Sequence, residues 1–351
     1  MSISKFRTRD LANLTVAFSL SWQRENLLSR GMGLEHLREL LVRLARQILR
    51  EGANLAYAGH WRESEDNFTY DFLRLVSAEK EDSTSGPPAS NLQIGMFYNH
   101  SAWPHYLEIT PRIEAQWMNC CRIVRITQQQ AGIADADVVR DADAGKKRPR
   151  VSFNAAVTLS AMRRFMMEPL SIPVPDSPAP ELIPPVVARI LLGGKVDGYS
   201  GFMPGIFEEA LLTMQKRRPT YILGGFGGAA ELLANAILDK SGRPAQFTLD
   251  WHREHNKLLA GILENLHEFT LPANLSSPET SLDALFGFIE RARSDLCGTL
   301  QCGLDEDETR ELLLSCDVSS VVHLVCKGLM NQKKALAQTL SKPSSSTTNP
   351  P

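Results

Sequence analysis

Two glycine-rich loops follow each other along the chain, and each leads directly into a predicted helix. The first, GYSGFMPGIFEEALL, occupies residues 198–212, and the second, TYILGGFGGAAELL, occupies residues 220–233. A helix start offers unpaired N–H groups and a partial positive charge, and glycines let an anion approach the backbone. The pattern therefore predicts a phosphate cradle, although tight turns with close helix–strand packing would require the same glycines. The candidate residues are Gly198, Gly201, Pro204, Gly205, Gly224, Gly225, Gly227 and Gly228.

A pair of glutamates, Glu208 and Glu209, begins the helix after the first loop. Acidic residues in a first helical turn offset the helix dipole and are common there. Inside a ligand pocket, a carboxylate can also bind ribose hydroxyls or stabilise a positively charged sugar centre. The residues alone leave both interpretations open.

Two neighbouring arginines, Arg163 and Arg164, lie in a predicted helix over residues 152–167. A guanidinium group can hold a phosphate through two parallel hydrogen bonds. The alternative is that both arginines belong to a solvated helix face. Which of the two would face a ligand is open at this point.

The histidines and cysteines do not form a recognisable metal site. His60 and Trp61 follow a predicted strand, where His60 could hydrogen-bond a ligand and Trp61 could stack on a base, or the pair could simply close a loop. His252 and His255 are three residues apart, which does not match the HExxH spacing. The six cysteines form no CxxC pair. No metal and no cofactor is therefore predicted.

Composition excludes several classes of protein. The 351 residues include 38 basic and 40 acidic side chains, so no overall positive field indicates nucleic acid as a partner. No apolar run approaches the ~18 residues that a membrane span needs. Unpaired cysteines are typical of a reducing compartment, so the sequence predicts a cytoplasmic protein.

Predicted strands and helices alternate through the first two thirds of the chain. This order predicts an α/β fold, a Rossmann-like, mostly parallel sheet with helices on both faces. The clearest helix carries an apolar stripe from Leu34 to Ile48 and ends near Gly52. The predicted strands cover residues 13–20, 53–59, 92–99, 121–127, 186–194 and 220–225.

Three regions are predicted from this pattern. They are an α/β domain at residues 10–245, a helical extension at 246–335 and a disordered tail at 336–351. Three polar or proline-rich stretches interrupt the alternation and are predicted to lack regular structure. They cover residues 79–91, 141–150 and 171–185, of which the last, with six prolines, is predicted as an extended connector.

Several of these segments together resemble the SLOG superfamily. This group includes the Lonely Guy phosphoribohydrolases, the DprA-type DNA-processing proteins and ligand-sensing domains of bacterial defence systems. The segments are AFSLSW (17–22), AYAGHW (56–61), DNFT (66–69), Met162-Arg163-Arg164, ARILLGG (188–194) and GYSGFMPGIFEEA (198–210). In Lonely Guy enzymes an arginine-bearing helix precedes a strand and a PGGxGTxxE loop. The end of that loop matches residues 205–209, so the resemblance implies that Glu209 takes the place of the family carboxylate.

The resemblance also implies that the ends of the first two strands line the nucleotide site. The residues it adds to the candidate site are Ser19, Ser21, Gly59, His60, Asn67 and Thr69. Asn67 and Thr69 are in addition good candidates for the N-cap of the helix that follows.

The first glycine loop departs from the family pattern in ways that favour binding over hydrolysis. Ile206 replaces the threonine, and Phe202 and Met203 stand where the loop would have paired glycines. The expectation is a sensor of a nucleotide-derived, ADP-ribose-like signal in a bacterial defence system, working as a homo-oligomer with a separate effector chain. The alternative is a phosphoribohydrolase that cleaves the N-glycosidic bond of a nucleoside 5′-monophosphate. Glu209 would then stabilise the ribosyl cation, and Arg163 or Arg164 would hold the phosphate. An interaction module without a working site is a third candidate.

Overall fold

A six-stranded parallel sheet forms the centre of the protein. The computed structural model describes residues 11–62, 64, 67–84, 95–140, 143, 147–173 and 179–341. The strands are β1 (Thr15–Ser21), β2 (Asn54–Tyr57), β3 (Phe97–Ala102), β4 (Cys121–Ile126), β5 (Leu170–Ile172), β6 (Glu181–Ile183), β7 (Val186–Gly193) and β8 (Thr220–Leu223). The large sheet has the order β4-β3-β2-β1-β7-β8, and every neighbouring pair in it is parallel. The predicted Rossmann-like α/β fold is confirmed.

Helices connect these strands and then form the C-terminal part of the chain. They are α1 (Arg24–Leu28), α2 (Leu34–Arg50), α3 (Phe68–Thr84), α4 (Pro111–Trp117), α5 (Arg148–Phe165), α6 (Gly205–Gln215), α7 (Gly228–Leu238), α8 (Leu249–His255), α9 (Lys257–Glu264), α10 (Pro278–Ser294), α11 (Leu296–Leu300), α12 (Glu306–Leu314) and α13 (Val318–Ser341). Among the described helices, none combines the length and apolar character needed to cross a bilayer.

The two faces of the sheet carry different cores. On one face, the ring of Phe72 from α3 contacts the rings of Phe18, Tyr57 and Phe97, at centroid distances of 5.1, 5.3 and 5.3 Å. The leucine stripe of α2 is buried on the same side, as its spacing predicts. On the other face, small residues such as Ala17 and Ala56 let α5 approach closely. Helices therefore cover both faces of the sheet.

The C-terminal helices share a core with the sheet. Phe286 of α10, Leu313 of α12 and Val325 of α13 belong to the same hydrophobic cluster as Ile190 of β7 and Ile222 of β8. Burial of this continuous apolar surface is the main favourable term in folding. The helical extension is thus packed onto the α/β part of the chain.

Some predicted boundaries differ from the structure. The stretch 171–185 contributes to an antiparallel pair, β5 with β6, because Pro173, Pro180 and Pro184 lie just outside the paired residues and leave their N–H groups available. α3 continues to Thr84, past the predicted start of a loop at Glu79, since Arg46 and Arg50 bind the Glu79 carboxylate at 2.9 and 3.0 Å.

Two further boundaries also differ. β3 begins at Phe97, five residues later than predicted, and continues through the polar residues His100 and Ser101. α13 extends to Ser341, into the segment predicted as a tail, and residues 342–351 lie outside the described residues. Residues 85–91, 141–142 and 144–146 of the predicted loops also lie outside them, and α5 begins at Arg148, within the second of these loops.

Candidate functional site

The strand order creates a crevice at the carboxyl edge of the sheet between β1 and β7. The loop after β1 leads to α2 on one face, and the loop after β7 leads to α6 on the other face. Loops that diverge from adjacent parallel strands leave an opening between them, and ligands of open α/β sheets bind there. The first glycine loop and Ser21 both lie at this position.

Glu209 is the centre of a buried polar cluster next to the crevice. Its Oε2 accepts a hydrogen bond from Nη1 of Arg189 at 2.8 Å and another from the Ser19 hydroxyl. Its Oε1 accepts from Nε of Arg163 at 3.2 Å. Only 8% of Glu209 and none of Arg189 is exposed to solvent. Both carboxylate oxygens therefore have charged partners in a site that water barely reaches.

Regular secondary structure positions this cluster. Ala17 pairs with Arg189 in the sheet, so Ser19, two residues further along β1, faces the same side as Arg189. Glu209 and Thr213 are one turn apart on α6 and present a common face to the sheet. Arg189 uses both of them, because its Nε donates to Thr213 Oγ1 at 3.1 Å, while its Nη1 also donates to Ser19 Oγ at 2.9 Å.

Arg163 of α5 completes the cluster, and its position accounts for the need for glycine at positions 201 and 205. It forms ion pairs with both Glu208 and Glu209. A Cβ at Gly205 would lie 2.8 Å from Nη2 of Arg163, and a Cβ at Gly201 would lie 3.2 Å from Nη1. The glycines of the first loop thus let a guanidinium group, rather than a free anion, approach the backbone in this structure.

The surroundings shift the pKa values of Arg163 and Arg189 in opposite directions. Burial lowers the pKa of Arg163, but Glu208 and Glu209 outweigh that effect and leave the pKa above its usual value. Burial lowers the pKa of Arg189 below its usual value, although Glu209 opposes the shift. Both side chains remain cationic near neutral pH. Two cations and two carboxylates therefore balance each other within the cluster.

Arg164 does not join this cluster. Its guanidinium donates a hydrogen bond to the carbonyl oxygen of Asn274, in the C-terminal part of the chain. The structure thus places Arg163, and not Arg164, beside Glu209.

The second glycine cluster is divided between packing and the crevice. A Cβ at Gly224 would lie 2.4 Å from the carbonyl oxygen of Leu313, and a Cβ at Gly225 would lie 2.2 Å from that of Ser315. Close packing against the C-terminal helices is therefore enough to require glycine at both positions.

Gly227 and Gly228 lie at the start of α7, with φ angles of +83° and +68°. A Cβ at Gly228 would meet the carbonyl oxygen of Gly194 at 2.5 Å, and an ion pair between Arg30 and Glu231 spans the first turn of the helix. The space enclosed here by Ser21, Trp22, Asn26, Gly194 and Gly228 is only about 10 Å³, which holds about one water molecule. The phosphate cradle stays a prediction at these two glycines.

The remaining candidate residues lie at strand ends and mostly hold loops in place. The Oγ of Ser21 accepts a hydrogen bond from the backbone N–H of Lys195 at 3.2 Å, which ties the two crevice loops together. Asn67 accepts from the N–H of Thr69 at 2.9 Å, and the Thr69 hydroxyl donates to the carbonyl of His60 at 2.9 Å. Of the two residues predicted as candidates, Asn67 is therefore the N-cap of α3.

Four more predicted positions surround that loop and the glycine loop. Gly59 has no room for a side chain, because a Cβ would meet Tyr57 and Thr69 at 2.2 and 2.3 Å. His60 is exposed, whereas Trp61 is buried and donates its indole N–H to Asn99 at 2.8 Å, so Trp61 does not offer a free face for stacking. Gly198, with φ +60°, has open space around it, and Pro204 precedes α6.

Arg189 is the main site residue that the sequence analysis missed. A single arginine in the middle of an apolar strand, VVARILLGG, was the available signal, because such a strand is buried on both faces and a buried charge needs a partner. In the described part of the chain, no group of three His, Cys, Asp or Glu side chains is placed to hold a metal ion.

Comparison with known proteins identifies the family of the chain. The model of the SLOG cluster2 family matches residues 10–174 and 180–312, which is most of the chain. No curated protein matches the chain. The match covers the sheet, the Arg163–Glu209 cluster and both glycine loops, and it indicates nucleotide-related binding or processing. The chain belongs to the SLOG cluster2 family.

Proposed function

We propose that the protein binds a nucleotide-derived signal, of ADP-ribose-like chemistry, in the crevice between β1 and β7 and releases it unaltered. The observation that carries this proposal is the state of Glu209, both of whose oxygens are bound by guanidinium groups. A carboxylate that stabilises a ribosyl cation must direct its charge at the sugar. Here that charge is directed at Arg163 and Arg189 instead.

The surroundings of the crevice favour an anionic ligand. The first turn of α6 offers backbone N–H groups, and the chain before it contains Gly198 with open space around it. A nucleotide is far larger than the ~10 Å³ enclosed between the crevice loops. Binding therefore requires the loop that carries α1 to move away from Gly194 and Gly228, which is a change that a sensor can use as its signal.

The alternative function is phosphoribohydrolase activity on a nucleoside 5′-monophosphate. The observation in its favour is the contact between Arg163 and Glu209, the two groups that the resemblance assigns to phosphate and ribose. In that case Arg163 would leave Glu209 when a phosphate binds, and the carboxylate would become free to face the sugar.

One experiment separates the two functions. The protein is incubated with nucleoside monophosphates, nucleoside diphosphates, ADP-ribose and its cyclic form, and both thermal stability and release of free base are followed. A sensor should show a ligand-dependent stabilisation of about 2.7 kcal/mol at 100 times Kd, with no base released. Base released by the wild type but not by Glu209→Gln would establish the hydrolase instead.

Matched variants locate the site. Arg163→Gln should change the affinity for the ligand that stabilises the protein, whereas Arg164→Gln, one position along α5 and outside the cluster, should leave it unchanged. Equal effects of the two variants would place the ligand elsewhere.

A further inference from the structure

One buried amide connects the first glycine loop to the C-terminal helices. Asn256 lies between α8 and α9 and is only 2% exposed. Its Oδ1 accepts hydrogen bonds from the N–H groups of Leu258 and Leu259 at 3.1 and 3.3 Å, which caps α9. Its Nδ2 donates to the carbonyl oxygen of Tyr199 at 2.9 Å. The same side chain therefore begins a helix and holds the loop.

Aromatic contacts surround this link on the α8 side. The ring of His252 meets the ring of Tyr199 edge to face at a centroid distance of 5.6 Å, and it meets that of Phe207, in the first turn of α6, at 6.4 Å. His252 is fully buried. α8 thus packs on both ends of the segment that runs from Tyr199 into α6.

The other side of the loop rests on α5. Phe202 meets Phe153 of α5 edge to face at 5.8 Å, and Leu259 and Ile262 of α9 belong to the same hydrophobic cluster as Phe153. Arg163, further along α5, lies against Gly201 and Gly205. The loop, α5 and α9 therefore contact one another pairwise, and a displacement of the loop must either move α9 or break the Asn256–Tyr199 hydrogen bond.

We infer that Asn256 couples residues 198–204 to α9, so that opening of the glycine loop releases or moves the start of this helix. Asparagine suits both tasks, because its oxygen caps the helix while its amide donates to the loop. The coupling is a property of the free protein. It rests on the proposed function only for the identity of the molecule that binds beside the glycine loop and holds it closed.

Hydrogen exchange on the full chain tests the coupling without any ligand. In the wild type, the amides of residues 198–203 and those of 258–260 should share one opening free energy. Asn256→Asp keeps the capping oxygens but replaces the donor to Tyr199 with an acceptor. We expect exchange in the loop to become roughly tenfold faster while α9 stays protected, the scale of one lost hydrogen bond.

A second variant and a matched control make the result specific. Asn256→Ser also keeps a capping oxygen and is too short to reach Tyr199, so it should give the same separation of loop from helix without introducing a charge. Asn265→Asp removes an amide that donates to the Gly261 carbonyl at 2.8 Å, at the other end of α9, and should leave the loop unchanged. Unchanged loop exchange in both Asn256 variants, or independent opening of loop and helix in the wild type, would overturn the inference.

ADP-ribose serves as the probe for the ligand arm. If it binds, it should protect both the loop and α9 in the wild type but only the loop in Asn256→Asp. If it has no effect on either protein, the proposed ligand is wrong while the exchange measurements on the free protein still decide the coupling.

Discussion

At the scale of single residues, the ion pairs that Glu209 forms with Arg163 and Arg189 dominate the energetics of the site. Arg189 is fully buried, and its Nη2 also lies 3.5 Å from the sulfur of Met167. A buried ion pair gains little relative to a well-packed apolar pair, but loss of one partner leaves an uncompensated charge. The pair is therefore tolerated as a unit and costly to break.

The first prediction follows from that asymmetry. Arg189→Met should lower the free energy of unfolding by about 3–5 kcal/mol, because Glu208 and Glu209 then share one cation, Arg163, and one buried negative charge is left uncompensated. Urea denaturation measures the change. The double variant Arg189→Met with Glu209→Gln should recover a large part of the loss, and a single-variant effect below about 1 kcal/mol would contradict the buried pair.

Part of this cluster can be predicted from the sequence, and the rest cannot. Arg163 and Glu209 were candidates because a family motif contains them. Arg189 and Asn256 belong to no motif, and their roles depend on partners 20 and 57 residues away along the chain. Such contacts follow from strand order and helix packing, which periodicity alone does not specify.

At the scale of elements, most strands and the α2 stripe matched their predicted positions, because apolar runs bounded by glycine and polar residues are strong local signals. The β5–β6 pair was not predicted, since prolines concealed two strands of three residues each. The second glycine cluster likewise needed the structure, because its first two glycines pack against α12 and the residues after it.

The second prediction tests that packing role. Gly225→Ala should destabilise the protein by about 1–3 kcal/mol, because its Cβ would collide with the backbone of Ser315. Gly261→Ala in α9, where nothing lies within 4 Å, should be neutral or slightly stabilising. Thermal denaturation with and without ligand distinguishes packing from binding, because a packing defect lowers stability equally in both.

The third prediction concerns pH and two buried histidines on β3 and α8. Burial lowers the pKa of His252 to about 4, and burial together with Arg189 lowers that of His100 to about 3. The unfolded chain then binds more protons than the native protein below the ordinary pKa of about 6.5. The contribution of these two histidines to the free energy of unfolding should be fully present above a pH of about 6.5. It should fall as the pH decreases towards about 4.

The slope of the unfolding free energy against pH identifies the histidines that titrate. Each histidine contributes up to about 1.4 kcal/mol per pH unit, measured by urea denaturation between about pH 7.5 and 5. His252→Phe, which keeps an aromatic ring beside Tyr199, should reduce the slope, whereas the exposed His267→Gln should not. An identical slope in His252→Phe would show that His252 is not responsible.

At the scale of the whole molecule, our fourth prediction is that the sheet and the C-terminal helices unfold as one unit. Residues of β7 and β8 share one hydrophobic cluster with residues of α10, α12 and α13, and residues of β1 and β2 share the other with residues of α9. We expect the full chain to show one cooperative transition and residues 1–245 alone to lack a cooperative fold, because truncation exposes β8 and Phe207. Calorimetry of both proteins measures this, and a stable, cooperative fragment would contradict it. Light scattering on the full chain would test the predicted homo-oligomer.

The buried Arg189–Glu209 pair also limits the paths by which the sequence can change over generations. A lineage that replaces either residue alone passes through a protein with an unpaired buried charge, which most selection on folding would remove. Replacement is accessible mainly as a linked double change, or after a compensating gain elsewhere. Across family members, residues at these two positions should therefore vary together, even where the ligand has changed.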